Sequence, residues 1–115
     1  MEHSVLSNGI LLPKIGFGTF QITDAAQCEE CAGYALETGY RLFDTAAAYH
    51  NEEAIGAAVN RSGIPRKEVF LTTKLWIQDA GYDAALKAFD ASLWLFKRGG
   101  PFRKPSGIFF AIKPL

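Results

Sequence analysis

Short apolar segments with strand character alternate three times with helix-patterned segments, and this alternation restricts the fold more than any other feature. The strand segments lie at residues 14–20, 41–44 and 69–73. The helical segments follow them at residues 24–38, 51–59 and 79–95. Alternation of this kind, with short connections, is typical of a parallel sheet covered by helices. Two layouts satisfy it, a doubly wound sheet and a piece of a (β/α)₈ barrel.

Glycines after the first strand segment bear on the choice between these layouts. A dinucleotide-binding fold places three spaced glycines in a turn that opens a helix. Gly16 and Gly18 fit that spacing, but Gln21 stands where the third glycine should fall, and no helix is predicted to start there. The sequence therefore favours the doubly wound sheet less than the barrel. A barrel would instead gather reactive side chains at the carboxyl ends of its strands.

The signals that end and join the elements are local. Thr23 or Asp24 can cap the first helix, and Gly39 can stop it. Asn51 is placed to cap the second helix. Near the N-terminus, Asn8-Gly9 lies between two apolar runs, and Asn-Gly favours the positive φ angles of a tight type I′ hairpin turn.

With 115 residues and 49% hydrophobic content, the chain is predicted to form one globular unit.

Charge divides the chain near Trp94. Residues 1–93 carry all 12 acidic and 7 of the 12 basic residues, net −5, whereas residues 94–115 carry 5 basic residues and no acid. We expect residues 94–115 to be a basic tail broken by proline and glycine. Its charges form no regular face, so a nucleic-acid partner is not favoured.

Neither a membrane span nor a signal peptide is predicted. No apolar run reaches about 18 residues. The N-terminus lacks a basic segment followed by an apolar core. The expected compartment is the cytoplasm.

An acid, a phenol and an amine follow neighbouring strand ends, as Asp44, Tyr49 and Lys74. To reduce a carbonyl, a site must deliver a proton to oxygen, and a free phenol with a pKa of about 10 is a poor acid. An ammonium beside a phenol stabilises the phenolate, and a carboxylate keeps that ammonium charged and in place. The alternative is structural: Asp44 caps a loop, Lys74 pairs with any acid, and Tyr49 fills space.

Other chemically interesting residues have ordinary explanations. Cys28 and Cys31 have C-x-x-C spacing, but they lie within a predicted helix and lack a second ligand pair, so no metal site is predicted. His50 follows Tyr49 and is interpreted as a solvated loop residue. Phe20 and Trp76, just past two strand ends, either wall an apolar pocket or pack as ordinary aromatic residues.

Several segments together resemble the N-terminal part of the aldo/keto reductases, over residues 4 to about 93. They are Asn8-Gly9, Gly16-Phe17-Gly18-Thr19-Phe20, Gly39-Tyr40-Arg41, Asp44-Thr45-Ala46, Tyr49, Asn51-Glu52 and Thr73-Lys74-Leu75-Trp76. Within that family, the sequence resembles the bacterial 2,5-diketo-D-gluconate reductase branch. The resemblance implies an N-terminal hairpin plus the first three βα units of a (β/α)₈ barrel.

The resemblance also implies a function, the reduction of aldehydes or ketones to alcohols with NADPH. Tyr49 would be the proton donor, with Lys74 and Asp44 supporting it. Gly18 and Thr19 would lie beside the nicotinamide ribose. Substrate-pocket residues would be Phe20 and Trp76.

The sequence departs from the family pattern after about residue 93. The family continues with a strand whose histidine orients the substrate carbonyl, whereas His3 and His50 are the only histidines here. We therefore expect an incomplete barrel with little or no activity, and self-association through open sheet edges. The alternative is a non-enzymatic truncated product or interaction module.

Overall fold

The computed structural model describes residues 2–75, 81–98 and 108–112. The strands in this part are β1 (His3–Val5), β2 (Leu11–Pro13), β3 (Phe17–Gly18), β4 (Leu42–Asp44), β5 (Phe70–Leu75) and β6 (Ile108–Ile112). The helices are α1 (Ala25–Thr38), α2 (Glu52–Arg61) and α3 (Tyr82–Arg98). Two 3₁₀ turns cover Ala47–Tyr49 and Arg66–Glu68. None of the described helices is long and apolar enough to cross a bilayer.

The main sheet has four parallel strands in the order β3-β4-β5-β6. Strand order follows chain order without a reversal, whereas a doubly wound sheet reverses its order at a switch point. The helices form a row in the same sequence, with α1 packed on α2 and α2 on α3. This is the layout of a barrel segment. Within the described residues the sheet stays open and does not close into a barrel.

The two faces of this sheet have different surroundings. Phe43 and Leu71 face the helices and are fully buried in the core. The core is completed by side chains of all three helices and by Val69, which directly precedes β5: Cys28, Ala32, Ala35, Leu36, Ala54, Ile55, Ala58, Val59, Val69 and Phe96. Since successive strand residues point to opposite faces, Asp44 and Thr72 lie on the other side of the sheet. That side carries the candidate site.

Helix α1 begins and ends at the residues that the sequence predicts. The Asp24 carboxylate accepts a hydrogen bond from the Gln27 amide at 2.7 Å. Gly39 adopts φ 116°, a left-handed conformation that favours glycine, and its N–H bonds carbonyls of the last helical turn. Arg41 adds a guanidinium hydrogen bond to the Leu36 carbonyl at 2.9 Å. The chain therefore turns directly from α1 into β4.

The N-terminal hairpin is present, but its turn differs from the prediction. Strands β1 and β2 pair antiparallel. The Leu6 amide donates to the Ile10 carbonyl, and the Gly9 amide donates to the Leu6 carbonyl, each at 2.8 Å. Within residues 7–9, positive φ occurs at Gly9 alone, at 85°. The loop is thus a three-residue hairpin loop ending on a left-handed glycine, and the predicted type I′ turn is wrong.

The C-terminal part contains a strand that the sequence analysis does not predict. Helix α3 continues to Arg98, across the predicted boundary at residue 93. β6 then pairs parallel with β5, from Leu71 opposite Ile108 to Leu75 opposite Ile112. Residues 108–112 are apolar and favour strand, but the basic, Pro/Gly-broken composition around them suggests irregular structure. Whether residues 94–115 form a separate domain stays a prediction.

Candidate active site

Asp44 and Lys74 meet at the carboxyl ends of two adjacent strands. The Lys74 ammonium lies 2.6 Å from Asp44 Oδ2 and also donates to the Thr45 carbonyl at 3.2 Å. The hydroxyl of Thr72 donates to Asp44 Oδ1. Both carboxylate oxygens therefore accept a hydrogen bond, which fixes the orientation of the carboxylate. The register explains the meeting, because Asp44 lies opposite Thr72 and Lys74 comes two residues later on the same face.

Tyr49 completes the group. Its ring centroid lies 5.4 Å from the Lys74 ammonium nitrogen, which sits over the ring. The 3₁₀ turn that carries it is closed by a hydrogen bond from the Tyr49 amide to the Ala46 carbonyl at 3.0 Å. His50 ends the turn at φ 56°, and its side chain is exposed. The acid, the phenol and the amine of the sequence prediction are thus brought together.

Partial burial strengthens the electrostatics of this cluster. The Lys74 side chain is 20% exposed and that of Asp44 48% exposed. An ion pair in such a half-solvated position is screened less than one on the open surface. The ammonium is held by a carboxylate, a carbonyl and an aromatic face. It is therefore a fixed positive charge beside the phenol ring.

The residues predicted to contact a cofactor or a substrate differ in accessibility. Gly18 is exposed, and no heavy atom lies within 4 Å of where a Cβ would stand, so a flat group could approach it. Thr19 is fully buried, and its amide donates to the Asp44 carbonyl at 3.1 Å. Phe20 is 60% exposed, with its ring centroid 5.2 Å from that of Tyr49. Trp76 lies outside the described residues. The cofactor and substrate roles of these four residues stay predictions.

Glu52 is a buried carboxyl next to this cluster. It accepts hydrogen bonds from Thr73 Oγ1 at 2.7 Å and from Ser92 Oγ at 3.1 Å. Burial raises the pKa of Glu52, and the two hydroxyl bonds and the charge of His50 oppose that rise. Because Thr73 directly precedes Lys74, this carboxyl ties β5 to α2 and α3 beneath the site.

The cysteine pair lies away from the site. Cys28 is fully buried on the side of α1 that faces the core, whereas Cys31 is partly exposed. Burial, and secondarily Cys31, raise the pKa of Cys28 to about 11. The thiol is therefore protonated near neutral pH and is a poor nucleophile or metal ligand.

Three residues at the site are not singled out by the sequence analysis as functional: Thr72, Asn51 and Glu52. A period-two signal could have found Thr72, because it shares a face with Lys74 two residues later. The pair Asn51-Glu52 is read as the start of a helix, and nothing local distinguishes it from an ordinary capping sequence.

Comparison with known proteins decides the family. Residues 14–99 match the profile described as the aldo/keto reductase family. The chain belongs to the aldo/keto reductase family. An aldo-keto reductase of Mycolicibacterium smegmatis is 51% identical over 88 residues, which cover 76% of this chain and 32% of that protein. A glyoxal reductase of Bacillus subtilis is 42% identical over 88 residues, with the same two shares. The chain thus spans about a third of the length of these aldo/keto reductases.

Solved aldo/keto reductase structures share the fold. One from Brucella melitensis superposes with a TM-score of 0.79 at 44% identity, covering 83% of this chain and 37% of that one. A protein named provisionally as a 2,5-diketo-D-gluconic acid reductase B gives 0.76 at 43% identity, with shares of 84% and 34%. The Bombyx mori aldo-keto reductase in complex with NADP gives 0.77 at 30% identity, with shares of 83% and 34%. The predicted partial-barrel fold and the predicted family are confirmed.

Proposed function

We propose that this chain carries the proton-donating part of an NAD(P)H-dependent carbonyl reductase site. Tyr49 is the proton donor, Lys74 stabilises the phenolate that remains, and Asp44 holds Lys74. One observation carries the proposal: the Lys74 ammonium contacts the Asp44 carboxylate at 2.6 Å and lies over the Tyr49 ring at 5.4 Å.

The proposed reaction reduces an aldehyde or ketone to an alcohol. NADPH, when bound, supplies the hydride that reaches the carbonyl carbon. The Tyr49 O–H bond breaks, and its proton moves to the carbonyl oxygen as negative charge develops there. The positive charge of Lys74 then stabilises the negative charge that develops on the Tyr49 phenolate. The Asp44 carboxylate keeps Lys74 in position throughout.

The cofactor and substrate are inferred by analogy and by fit. An NADP complex of the Bombyx mori relative supports the cofactor, and the open surface at Gly18 fits a flat ring. A small carbonyl compound such as glyoxal is the substrate class that the Bacillus subtilis relative suggests. Phe20, exposed and with its ring tilted against that of Tyr49, gives such a substrate an apolar wall.

A chimera tests the role of Tyr49. Residues 14–99 of this chain replace the matching segment of the Bacillus subtilis glyoxal reductase, and oxidation of NADPH is followed with glyoxal. We expect Tyr49→Phe to lower kcat by about 10²-fold or more, the usual contribution of a general acid. Tyr34→Phe, on the exposed side of α1, is the matched control. An active Tyr49→Phe chimera would contradict the proposal.

We further propose that the 115-residue chain alone has little or no turnover. The family pattern places a carbonyl-orienting histidine beyond the third helix, and this sequence has only His3 and His50. The purified monodisperse chain is assayed with NADPH and glyoxal. Turnover that disappears in Tyr49→Phe would overturn this second proposal while supporting the role of Tyr49.

The alternative function is an interaction module. Tyr82 and Leu86 on α3 are 84% and 51% exposed, which favours contact with another chain. In this alternative, we propose that the chain self-associates through this face and through open sheet edges.

A further inference from the structure

We propose that Asn51 is a positioning residue that holds Lys74 in place for proton donation by Tyr49. This inference rests on the proposed function, because the proton-donor role of Tyr49 gives the positioning its purpose. The hydrogen bonds from which it is argued are those of the structure. No atom of Asn51 needs to touch a substrate. Its side chain acts on the loops that follow β3 and β4.

The side chain of Asn51 is buried and hydrogen-bonded through both its amide nitrogen and its oxygen. It is 2% exposed. Its amide nitrogen donates to the Thr19 carbonyl at 2.9 Å and to the Ile22 carbonyl at 3.2 Å. Its oxygen accepts from the hydroxyls of Thr45 at 2.9 Å and Thr19 at 3.3 Å. Both amide hydrogens are therefore used, and the oxygen has the Thr45 hydroxyl as its donor, since the Thr19 hydroxyl shares its one hydrogen with the Asp44 carbonyl, also at 3.3 Å.

These bonds lead directly to the catalytic group. The residue that donates its hydroxyl to Asn51, Thr45, accepts the Lys74 ammonium on its carbonyl at 3.2 Å. The amide of Thr45 also donates to the Thr72 carbonyl at 2.9 Å. Loss of the Thr45 hydroxyl contact would remove one of two hydrogen bonds that hold Thr45, and so loosen the carbonyl that accepts from the Lys74 ammonium.

The choice of asparagine follows from the number of partners. Two carbonyls require two N–H donors, and the Thr45 hydroxyl requires an acceptor, a combination that the asparagine side chain supplies. Aspartate would place negative oxygens against the Thr19 and Ile22 carbonyls, and alanine would remove the amide donor from both, leaving the Thr19 carbonyl only the Ile22 amide at 3.3 Å. Although Asn51 occupies the first position before α2, its side chain makes no capping hydrogen bond. The side chain is thus committed to the loops instead of the helix.

Nuclear magnetic resonance of the 115-residue chain tests the inference without turnover. The Lys74 ammonium nitrogen lies over the Tyr49 ring at 5.4 Å from its centroid, so we expect a ring-current shift at the adjoining methylene protons. We expect Asn51→Ala to move this resonance toward the free-lysine value. Asn60→Ala is the matched control, because Asn60 is exposed on the same helix. A folded Asn51→Ala with an unchanged Lys74 resonance would overturn the inference, whatever its thermal stability.

A second pair of variants decides the matter if Asn51→Ala does not fold. Thr45→Val removes the hydroxyl that reaches Asn51 and keeps the side-chain shape, whereas Thr45→Ser keeps the hydroxyl. We expect the Lys74 resonance to shift in Thr45→Val and to stay near the original position in Thr45→Ser. Equal resonances in the two variants would overturn the inference. Because none of these measurements needs a reaction, failure of the chimera assay would count against the proposed function alone.

Discussion

Glu52 is an acidic side chain that is 2% exposed, at a position where helices usually present acids to water. It lies in the first turn of α2, where negative charge is favoured by the helix dipole. Its two oxygens accept from Thr73 and Ser92. Burial nonetheless outweighs these contacts and raises the pKa of Glu52 above its ordinary value of 4.5. The folded state therefore binds the Glu52 proton more tightly than the unfolded chain.

This linkage predicts how Glu52 affects stability. Between pH 4.5 and the higher folded-state pKa, the unfolded chain has lost a proton that the folded chain retains. The contribution of Glu52 to the free energy of unfolding therefore falls as the pH rises through this window. Glu52→Gln should remove that decline, as measured by chemical denaturation at a series of pH values. Glu53→Gln, at the exposed neighbouring position, is the control, and an unchanged slope in Glu52→Gln would contradict the prediction.

At the residue level, the sequence predicts the residues of the candidate site better than the buried residues that hold them in place. Asp44 and Lys74 can be placed together because carboxyl ends of parallel strands share one edge of a sheet. The partners of Asn51 cannot be found in this way, because Thr19 lies 32 residues earlier and reaches it only through tertiary packing. For the same reason, Glu52 reads as an exposed helix-start acid until Ser92, 40 residues later, is placed beside it.

Helices α2 and α3 come into close contact at Gly56. A Cβ built on Gly56 would lie 2.2 Å from the Phe96 carbonyl oxygen. Phe96 itself is fully buried in the core. A backbone group cannot move aside as the end of a long side chain can. The two helices can therefore approach this closely only with glycine at this position.

Gly56→Ala should therefore destabilise the chain despite the better helix propensity of alanine. Overpacking of this kind costs about 1–3 kcal/mol. Gly33→Ala is the matched control, since Gly33 lies within α1 and a Cβ there would meet no atom within 4 Å. Alanine at Gly33 should stabilise by roughly 0.5–1 kcal/mol. Urea denaturation of both variants measures the difference, and equal effects of the two substitutions would show that the α2–α3 contact is looser than described.

The elements themselves are predictable to different degrees. Helix α1 is predicted because its cap at Asp24 and its stop at Gly39 are local signals. The hairpin is predicted in place but not in turn type, since Asn8-Gly9 is compatible with both loop lengths. Strand β6 is missed because its pairing with β5 depends on the sheet edge that the earlier units create.

For the whole molecule, the outer side of α3 shows what the open arrangement leaves uncovered. The residues Tyr82, Leu86, Phe89 and Leu93 recur at helical spacing, a pattern that by itself predicts the apolar face of this helix. Burial is instead deepest at Ser92 and Phe96, which face α2 and the core. Tyr82 and Leu86 remain largely exposed, because within the described residues α3 ends the row of helices. An exposed apolar surface of this kind favours association.

We therefore expect the purified 115-residue chain to self-associate in a concentration-dependent manner, with the exposed face of α3 in the contact. Leu86→Lys should weaken association, because fully burying a leucine contributes about 1.5–3 kcal/mol, which corresponds to roughly tenfold or more in the dissociation constant. Ala84→Lys adds the same charge at an exposed position on another side of α3. Sedimentation velocity over a concentration series distinguishes the two. A chain that is monomeric at every concentration, or equal association in both variants, would show that this face is not the contact.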